Sequence, residues 1–379
     1  MTPVKPSLEL LRSLSDEHVL RALMRAGRLT RAELAVQAGI SKPTVSESMR
    51  RLTAAGLVVD TGERTTGRGR IGTYYGLAPS AGTALAVSIA PAGVTAERLD
   101  AHGTVLTRAV RPLTSPARPD HVAAALIAVA ADVVAGADAD VAAGDGAAAG
   151  PVRVAAVSAA DPVDRATGRL VHLPDSPFLV GELDPVELLA PHVTGAVTVD
   201  NDVNWAARAE RDQGAAGDDF TYVYLGEGLG CAVVSDGEVL RGHTGLAGEI
   251  SHLITAGPGG RAMPFTDVFA RLGVRRPGST AIDVPALLAA DLDTVARAVA
   301  GVLAAVVALA DPALVVLGGP WGSDPAVLAA VSAAFGALPR HVPVRAPACT
   351  GEPSLTGART HALATLRAAI IATRADVPT

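Results

Sequence analysis

Short polar and basic side chains are concentrated on one segment of the N-terminal part of the chain and on the glycine-rich segment that follows it. These side chains are Lys42, Thr44, Ser46, Glu47, Arg50, Arg64, Arg68 and Arg70. Lysine and arginine suit phosphate groups and guanine, and small hydroxyl groups suit base edges in a DNA groove. The group therefore predicts contact with double-stranded DNA.

A second group of polar side chains lies near the middle of the chain. Asn201 and Asp202 end a β-rich run and open a helical run, so both should lie at the carboxyl end of a strand, where α/β proteins bind ligands. Glu249 and His252 are three residues apart and share one face if their turn is helical. Carboxylates with an amide and an imidazole suit vicinal hydroxyl groups. A hydroxyl-rich ligand is predicted, and internal hydrogen bonding of Glu249 and His252 is the alternative.

The elements that must position the first group can be traced from the sequence. Apolar residues at helical spacing in Asp16–Ala26 predict a first helix. Thr30 and Glu33 form the capping-box pattern of a second helix, which Gly39 ends. Ser41 caps a third helix, and the layout is that of a helix-turn-helix. The buried stripe of this third helix consists of Val45, Met49 and Leu52.

The segment after Gly56 predicts two short strands around a basic tip that carries Arg64, Arg68 and Arg70. Such a hairpin beside a recognition helix is a wing, which can reach a phosphate backbone or a minor groove. Residues 1–79 hold 12 basic and 7 acidic residues, a net charge of +5, whereas the rest of the chain carries −11. A basic head on an acidic body favours a polyanionic partner for the head. A protein-interaction module with a solvated basic loop is the alternative.

Length and composition limit the remaining classes of protein. A chain of 379 residues predicts two or three domains, and 49% hydrophobic residues argue against global disorder. Cys231 and Cys349 are too few for a disulfide framework or a cysteine-based zinc site, which fits a reducing compartment. The N-terminal residues lack a signal-peptide pattern, and we expect no membrane-spanning run of about 18 apolar residues. A cytoplasmic location is predicted.

The body, residues 80–379, alternates short β-rich runs with alanine-rich helical runs. This alternation predicts an α/β domain behind the head of residues 1–79. The segment Ala131–Gly150 consists almost entirely of Ala, Gly, Asp and Val. Its low complexity predicts a mobile surface loop.

Several stretches of the sequence resemble the ROK family (repressor, open reading frame, kinase). GRLTRAELAVQAGISKPTVSESMRRLTAAGLV and the GRGR that follows resemble the heads of the family's repressors, of the xylose- and N-acetylglucosamine-repressor type. In the body the resemblance is carried by VDNDVNWAARAE, LGEGLGCAVVSDGEVLRGHTGLAGEISH and DPALVVLGGPWG. It implies a winged helix-turn-helix followed by a two-lobed, actin-like ATPase (ROK) domain that binds ligand between its lobes. The expected lobes are about 80–198 with 357–374, and 199–356.

The sugar kinases of that family need devices that this sequence lacks. Their first phosphate loop falls on Ser88–Ala92, which has no acid, glycine or threonine. Their second loop keeps its glycines in Gly226–Gly230 but has Glu227 where a phosphate would lie, at a cost of roughly 4 kcal/mol for a contact at about 4 Å and a dielectric near 20. No cysteine of the family's zinc knuckle follows His252, and one histidine cannot hold structural zinc. We expect no catalytic residues, metal or cofactor.

The resemblance also assigns roles to single residues. Asp202 matches the catalytic base of the kinases, which repressors of the family often keep as a hydrogen-bond acceptor for the sugar. A sugar-like effector would contact Asn201, Asp202, Glu249 and His252, together with Asp175. Glu47 stands where the family usually has a basic residue, and a carboxylate there could accept from cytosine N4, which predicts an unusual operator.

The predicted function is a DNA-binding transcriptional regulator, most simply a repressor, controlled by a sugar or sugar-derived ligand in a degenerate kinase-like domain. A homodimer or a dimer of dimers is expected, because paired heads read paired half-sites. Two alternatives stay open. One is an active ATP-dependent sugar kinase with a DNA-binding head, and the other is a ligand-independent DNA-binding dimer.

Overall fold

The N-terminal head is built from three helices and a three-stranded antiparallel sheet of order β1-β3-β2. Its elements are α1 (Leu8–Ala26), β1 (Arg28–Thr30), α2 (Arg31–Ala38), α3 (Lys42–Ala54), β2 (Val58–Arg64) and β3 (Thr73–Leu77). The computed structural model of the chain describes residues 8–66, 71–114, 117–142, 149–173, 176–178, 182–214 and 216–373.

Local signals in the sequence account for the helix boundaries of the head. The backbone N–H of Thr30 donates to the Glu33 carboxylate at 2.8 Å, and the Thr30 hydroxyl accepts from the N–H of Glu33, so the predicted capping box is present. Gly39 follows α2 with φ of 66°, a left-handed conformation that suits glycine. The predicted winged helix-turn-helix is confirmed, and β2 and β3 are the strands of the wing.

The first lobe of the body contains a five-stranded sheet of order β6-β5-β4-β7-β8. Strands β4, β5 and β6 form an antiparallel meander, and β7 and β8 add to β4 in parallel. β8 pairs with β7 as far as Asn201, so the first sheet extends past the expected lobe boundary at residue 198. The elements of this lobe are β4 (Thr83–Ala90), β5 (Gly93–Leu99), β6 (Val105–Pro112), α4 (Pro119–Ala142), β7 (Val152–Ala159), α5 (Pro185–Leu189) and β8 (Val197–Asn201).

Helix α4 continues to Ala142, so the prediction of a loop over all of 131–150 is wrong. Alanine is the strongest helix former, and a run of alanines therefore favours a helix even where its complexity is low. Residues 143–148 of the predicted loop lie outside the described residues.

The second lobe repeats the strand order of the first in the sheet β11-β10-β9-β14-β15. Two sheets of equal order in one chain are the predicted two-lobed, actin-like arrangement, which is thereby confirmed. The elements of this lobe are α6 (Asp202–Asp212), β9 (Phe220–Leu225), β10 (Leu229–Ser235), β11 (Glu238–Val239), β12 (Ile254–Ala256), β13 (Ala262–Pro264), α7 (Phe265–Arg271), α8 (Val284–Leu288), α9 (Leu292–Ala310), β14 (Val315–Gly318), α10 (Pro325–Gly336) and β15 (Val344–Arg345).

Among the residues that the structure describes, two helices are long and apolar enough to cross a membrane by length and composition alone, which differs from the expectation of no such run. They are Pro119–Gly136 within α4, and α9. In α9 the side chains of Val299, Leu303 and Val307 are fully buried in the core of the second lobe. An apolar helix in the core of a globular domain meets the same criteria, so the observation is weak evidence for a membrane span.

The last helix, α11 (Pro353–Thr373), joins the head to the body. Its residues Leu366 and Ile370 lie in one hydrophobic core with Leu20 and Leu23 of α1. Arg367 of α11 donates from Nε to Ala101 O at 2.9 Å, and from a terminal nitrogen to the carbonyl oxygens of Met24 and His102 at 3.4 and 3.3 Å. The head is therefore packed against the terminal helix of the body rather than only tethered to it.

Candidate functional site

Helix α3 presents a polar face away from the core of the head. Ser41 caps the helix by accepting from the N–H of Thr44 at 3.3 Å. Val45, Met49 and Leu52 are almost fully buried, as their spacing predicted. The opposite face leaves Lys42, Ser46, Glu47 and Arg50 exposed, with Thr44 half-buried. The predicted DNA-reading side chains of α3 thus share an accessible face.

The exposed face of α3 carries an ion pair that sequence reasoning did not foresee. Arg50 donates from two nitrogens to the Glu47 carboxylate at 2.6 and 3.2 Å, and Arg51 lies 3.4 Å from the same carboxylate. The Arg50 hydrogen bond lowers the pKa of Glu47, which keeps the carboxylate ionised. Glu47 is therefore not an isolated carboxylate facing a base, because Arg50 partly neutralises it. Such an exposed pair is weak and can open when DNA offers either partner a better contact.

The wing contributes Arg64 in the part of the chain that the structure describes. The Arg64 guanidinium pairs with the Asp60 carboxylate at 2.9 and 3.2 Å on the exposed side of β2. Arg68 and Arg70, the other predicted contacts of the wing, lie outside the described residues.

A cavity of about 500 Å³ lies between residues of the two lobes. Asn201 and Asp202, at the junction of β8 and α6, line it together with Glu249 and His252 of the second lobe. The structure thus brings together four of the five predicted ligand residues, and the fifth, Asp175, lies outside the described residues.

Asn201 holds the start of helix α6. Its side-chain oxygen accepts from the N–H of Val203 at 2.9 Å, and its amide nitrogen donates to Asp161 O at 3.3 Å. The Asn201 side chain therefore already makes structural hydrogen bonds before any ligand binds. Asn201 positions the start of α6 in addition to lining the cavity.

Asp202 and Glu249 carry the unusual electrostatics of the cavity. Burial raises the pKa of Asp202 to about 7, and the nearby Asp161 and Glu249 charges add to this. Burial, followed by the Asp161 charge, also raises the pKa of Glu249 to about 7. Near neutral pH these carboxyl groups can therefore both donate and accept hydrogen bonds, which is what hydroxyl groups require.

Glu249 precedes a single 3-10 turn, Ile250–His252. The backbone of Glu249 itself is not helical, with ψ of 82°, so the shared helical face that the spacing suggested is not formed. Glu249 and His252 nevertheless both line the cavity.

Asp161 is the cavity residue that sequence reasoning missed. It is almost fully buried, it lines the cavity, and it accepts a hydrogen bond from the Ser176 hydroxyl. It follows β7, and Ala159 of β7 pairs in parallel with Asn201 of β8. Because parallel strands end at the same sheet edge, Asp161 arrives beside Asn201 and Asp202. The sequence signal that could have identified Asp161 is an acidic residue just after a buried β-strand, at the strand end where α/β proteins bind ligands.

The segments that match kinase phosphate loops are both short hairpin turns in this chain. Pro91 and Ala92 connect β4 to β5 and offer mainly apolar surface to the cavity. In the β9–β10 turn, Glu227 is paired with Arg276 at 2.5 Å. The expectation of an unpaired negative charge at Glu227 is therefore wrong, because the Arg276 guanidinium compensates this charge. The predicted repulsion of roughly 4 kcal/mol is an overestimate, since that value treats the carboxylate as unpaired.

Both cysteines of the sequence lie in the described part of the chain. Cys231 and Cys349 are both buried free thiols. Within the described ranges, no cluster of three or more His, Cys, Asp or Glu side chains has a metal-binding arrangement.

Comparisons with known proteins agree with this architecture. Residues 12–59 match the model of a winged helix-turn-helix DNA-binding family, and residues 139–266 match that of the ROK family. A glucokinase of Halalkalibacterium halodurans is 43% identical over 67 residues. That match covers 17% of this chain and spans one fifth, 20%, of the glucokinase.

Solved structures resemble the chain over most of its length. A ROK family transcriptional regulator, described as a homolog of the E. coli MLC protein, has a TM-score of 0.64 and 18% identity, and the match covers 97% of this chain and 100% of that one. A ROK hexokinase from Thermus thermophilus covers 76% of this chain and 99% of its own, at TM-score 0.56 and 23% identity. For a ROK family glucokinase from Streptomyces griseus, in complex with glucose and AMPPNP, the match covers 74% of this chain and 99% of the glucokinase, with a TM-score of 0.53 and 22% identity. At these identities the likenesses establish the fold.

Proposed function

Because the chain carries a winged helix-turn-helix head in front of a ROK family domain, we propose that it is a DNA-binding transcriptional regulator controlled by a sugar-like effector. The observation that carries the proposal is the shared hydrophobic core of α1 and α11, which couples the head to the ligand-binding body.

The head reads DNA through the exposed face of α3. Small hydroxyls at Thr44 and Ser46 suit base edges, and Lys42 suits a phosphate. The Glu47–Arg50 pair offers a carboxylate for cytosine N4 and a guanidinium for guanine at adjacent positions. The chain acts as a homodimer or a dimer of dimers, because two heads are needed to read two half-sites. A DNA partner is consistent with a cytoplasmic location.

The effector is a polyhydroxylated small molecule in the cavity between the lobes. Asp202 and Glu249 supply carboxyl groups with pKa values of about 7, and His252 lines the same cavity. Groups that can donate as well as accept suit a ring of hydroxyls, and enclosure between lobes makes the affinity depend on lobe closure.

The chain uses this cavity for binding and not for phosphoryl transfer. A carboxyl group with a pKa near 7 would serve as a general base, so Asp202 by itself favours the competing function, a sugar kinase. Phosphoryl transfer also requires donors that hold the phosphates of ATP. The turn at Pro91 and Ala92 offers mainly apolar surface, and the guanidinium of Arg276 is engaged by Glu227. We therefore infer binding without turnover.

A route from the cavity to the head runs through two packed helices. α6 begins at Asp202, and its Trp205 lies against α11, with the Trp205 and His361 rings 5.0 Å apart. Further along α11, Arg367 contacts Met24 O at the end of α1. A change in lobe closure would move α6, and with it α11 and the head. The effector must bind the two states with different affinity for this to alter DNA binding.

The test is a DNA-binding titration of the full chain with and without sugars. Purified protein should bind duplexes from its own promoter region, and the affinity should fall steeply with rising salt. A thermal-shift screen of sugars, aminosugars and sugar phosphates then identifies an effector, which should change the DNA affinity.

The competing functions give different results in the same experiments. Robust ATP-dependent phosphorylation of any hexose would favour the kinase. DNA binding that no screened sugar alters would favour the ligand-independent dimer. DNA binding that survives removal of residues 1–79 would contradict the assignment of the head.

A further inference from the structure

A second hollow in the surface, separate from the ligand cavity, is lined by three arginines. Arg165 comes from the loop after β7, Arg208 from α6, and Arg241 from the segment after β11. The hollow measures about 450 Å³. None of the three arginines lines the ligand cavity, so the hollow is not an extension of it.

Two of the arginines at this hollow, Arg208 and Arg241, lie near one and the same carboxylate. Arg241 lies 2.6 Å from Asp200 Oδ2, and Arg208 lies 3.9 Å from the same oxygen. Arg165 donates instead to a backbone carbonyl, that of Gly242, at 3.0 Å. The acidic residue that lines the hollow is Glu238, which is exposed, whereas Asp200 is not among the lining residues. One buried carboxylate therefore serves two guanidinium groups.

Packing holds Arg208 and Arg241 together although their like charges repel. Both side chains are only about one quarter exposed, at 25% and 28%. Burial lowers the pKa of Arg208; the charge of Asp200 opposes this, and the charge of Arg241 acts in the same direction as burial. The Nε atoms of both arginines are buried and have no hydrogen-bond partner among the described residues. The centre of the Trp205 ring lies 5.1 Å from the Arg208 guanidinium, and this cation–π contact stabilises the guanidinium in its position.

We propose that the arginine hollow binds a small phosphate-bearing anion, either free inorganic phosphate or a phosphate monoester. Planar guanidinium groups match the geometry of phosphate oxygens, and a dianion would relieve the repulsion between Arg208 and Arg241. Because Arg165 belongs to the first lobe and Arg241 to the second, a bound phosphate would link the two lobes. The site is independent of the proposed function, since it involves neither DNA nor the sugar-like effector.

The test measures anion binding to the full chain by calorimetry and by thermal shift. Inorganic phosphate and glycerol phosphate are titrated at constant ionic strength, with chloride as the balancing salt. We expect saturable binding of at least one of the two, and the stronger one identifies whether the free ion or the ester is preferred. Arg165→Gln should weaken binding by about tenfold or more, the effect of losing one hydrogen bond to a charged group.

Two further variants make the test decisive. Arg169→Gln is the matched control, because Arg169 is exposed on the same loop but pairs with Asp184 and Glu182 outside the hollow. It should leave the anion affinity unchanged. Glu238→Gln removes a negative charge from the rim and should tighten binding several-fold. If neither anion binds saturably, if chloride stabilises the chain equally, or if Arg165→Gln and Arg169→Gln behave alike, the proposal is wrong.

Discussion

Replacing Glu249 with glutamine should make the protein more stable at alkaline pH and should leave its stability at acid pH nearly unchanged. Burial and the Asp161 charge raise the pKa of Glu249 from 4.5 to about 7 in the folded chain. Glutamine keeps the shape of the side chain but has no proton to lose. Because the Glu249 charge also raises the pKa of Asp202, the difference from wild type reports the ionisation of Glu249 together with its effect on Asp202.

The sign follows from proton linkage. The folded state binds the Glu249 proton more tightly than the unfolded state, so raising the pH from 4.5 to about 7 favours the unfolded state. Each pKa unit corresponds to about 1.4 kcal/mol, so the rise from 4.5 to about 7 amounts to about 3.5 kcal/mol at most. Because Glu249 is only half-buried, we expect glutamine to raise the free energy of unfolding by about 1–3 kcal/mol above pH 7. Below pH 4.5 we expect almost no difference.

The assay is urea unfolding of wild type and Glu249→Gln at a series of pH values from 4.5 to 8.5. Glu9→Gln, at an exposed position of α1, is the control for losing one negative charge. A difference between Glu249→Gln and wild type that stays constant over the whole range would refute the reasoning. It would mean that Glu249 is ionised at ordinary pH despite its position in the cavity.

Three other perturbations test the head, the helix junction and the coupling between them. Glu47→Ala should change the preferred operator sequence rather than weaken binding to all sequences, because it releases Arg50; a selection of random duplexes measures this. Gly357→Ala should destabilise the chain by about 1–3 kcal/mol in thermal or urea unfolding, since a Cβ atom there would lie 2.0 Å from Trp205 O. Gly336→Ala in α10 is its control and should be neutral or slightly stabilising, because its Cβ would enter open space. Arg367→Gln should reduce the effect of the effector on DNA affinity while effector affinity measured by calorimetry stays the same; an undiminished effect would exclude this route.

The sequence alone determined the features that depend on neighbouring residues. The capping box of Thr30 and Glu33, the glycine that ends α2 and the apolar stripe of α3 are contacts within one or two turns, so spacing was enough to predict them. The position of Asn201 and Asp202 between a strand and a helix was predicted in the same way. Composition was less informative, since the alanine-rich segment that suggested a loop forms the end of α4 as far as Ala142.

Only the tertiary structure decided which distant side chains meet. Asp161 lies beside Asp202 because β7 and β8 pair in parallel, and that pairing joins residues about forty positions apart. Arg276 reaches Glu227 across forty-nine positions and cancels a charge that appeared isolated in the sequence. Arg165, Arg208 and Arg241 converge from three segments in the same way. Charges interact according to their separation in space and their burial, and neither quantity can be read from the order of residues along a chain.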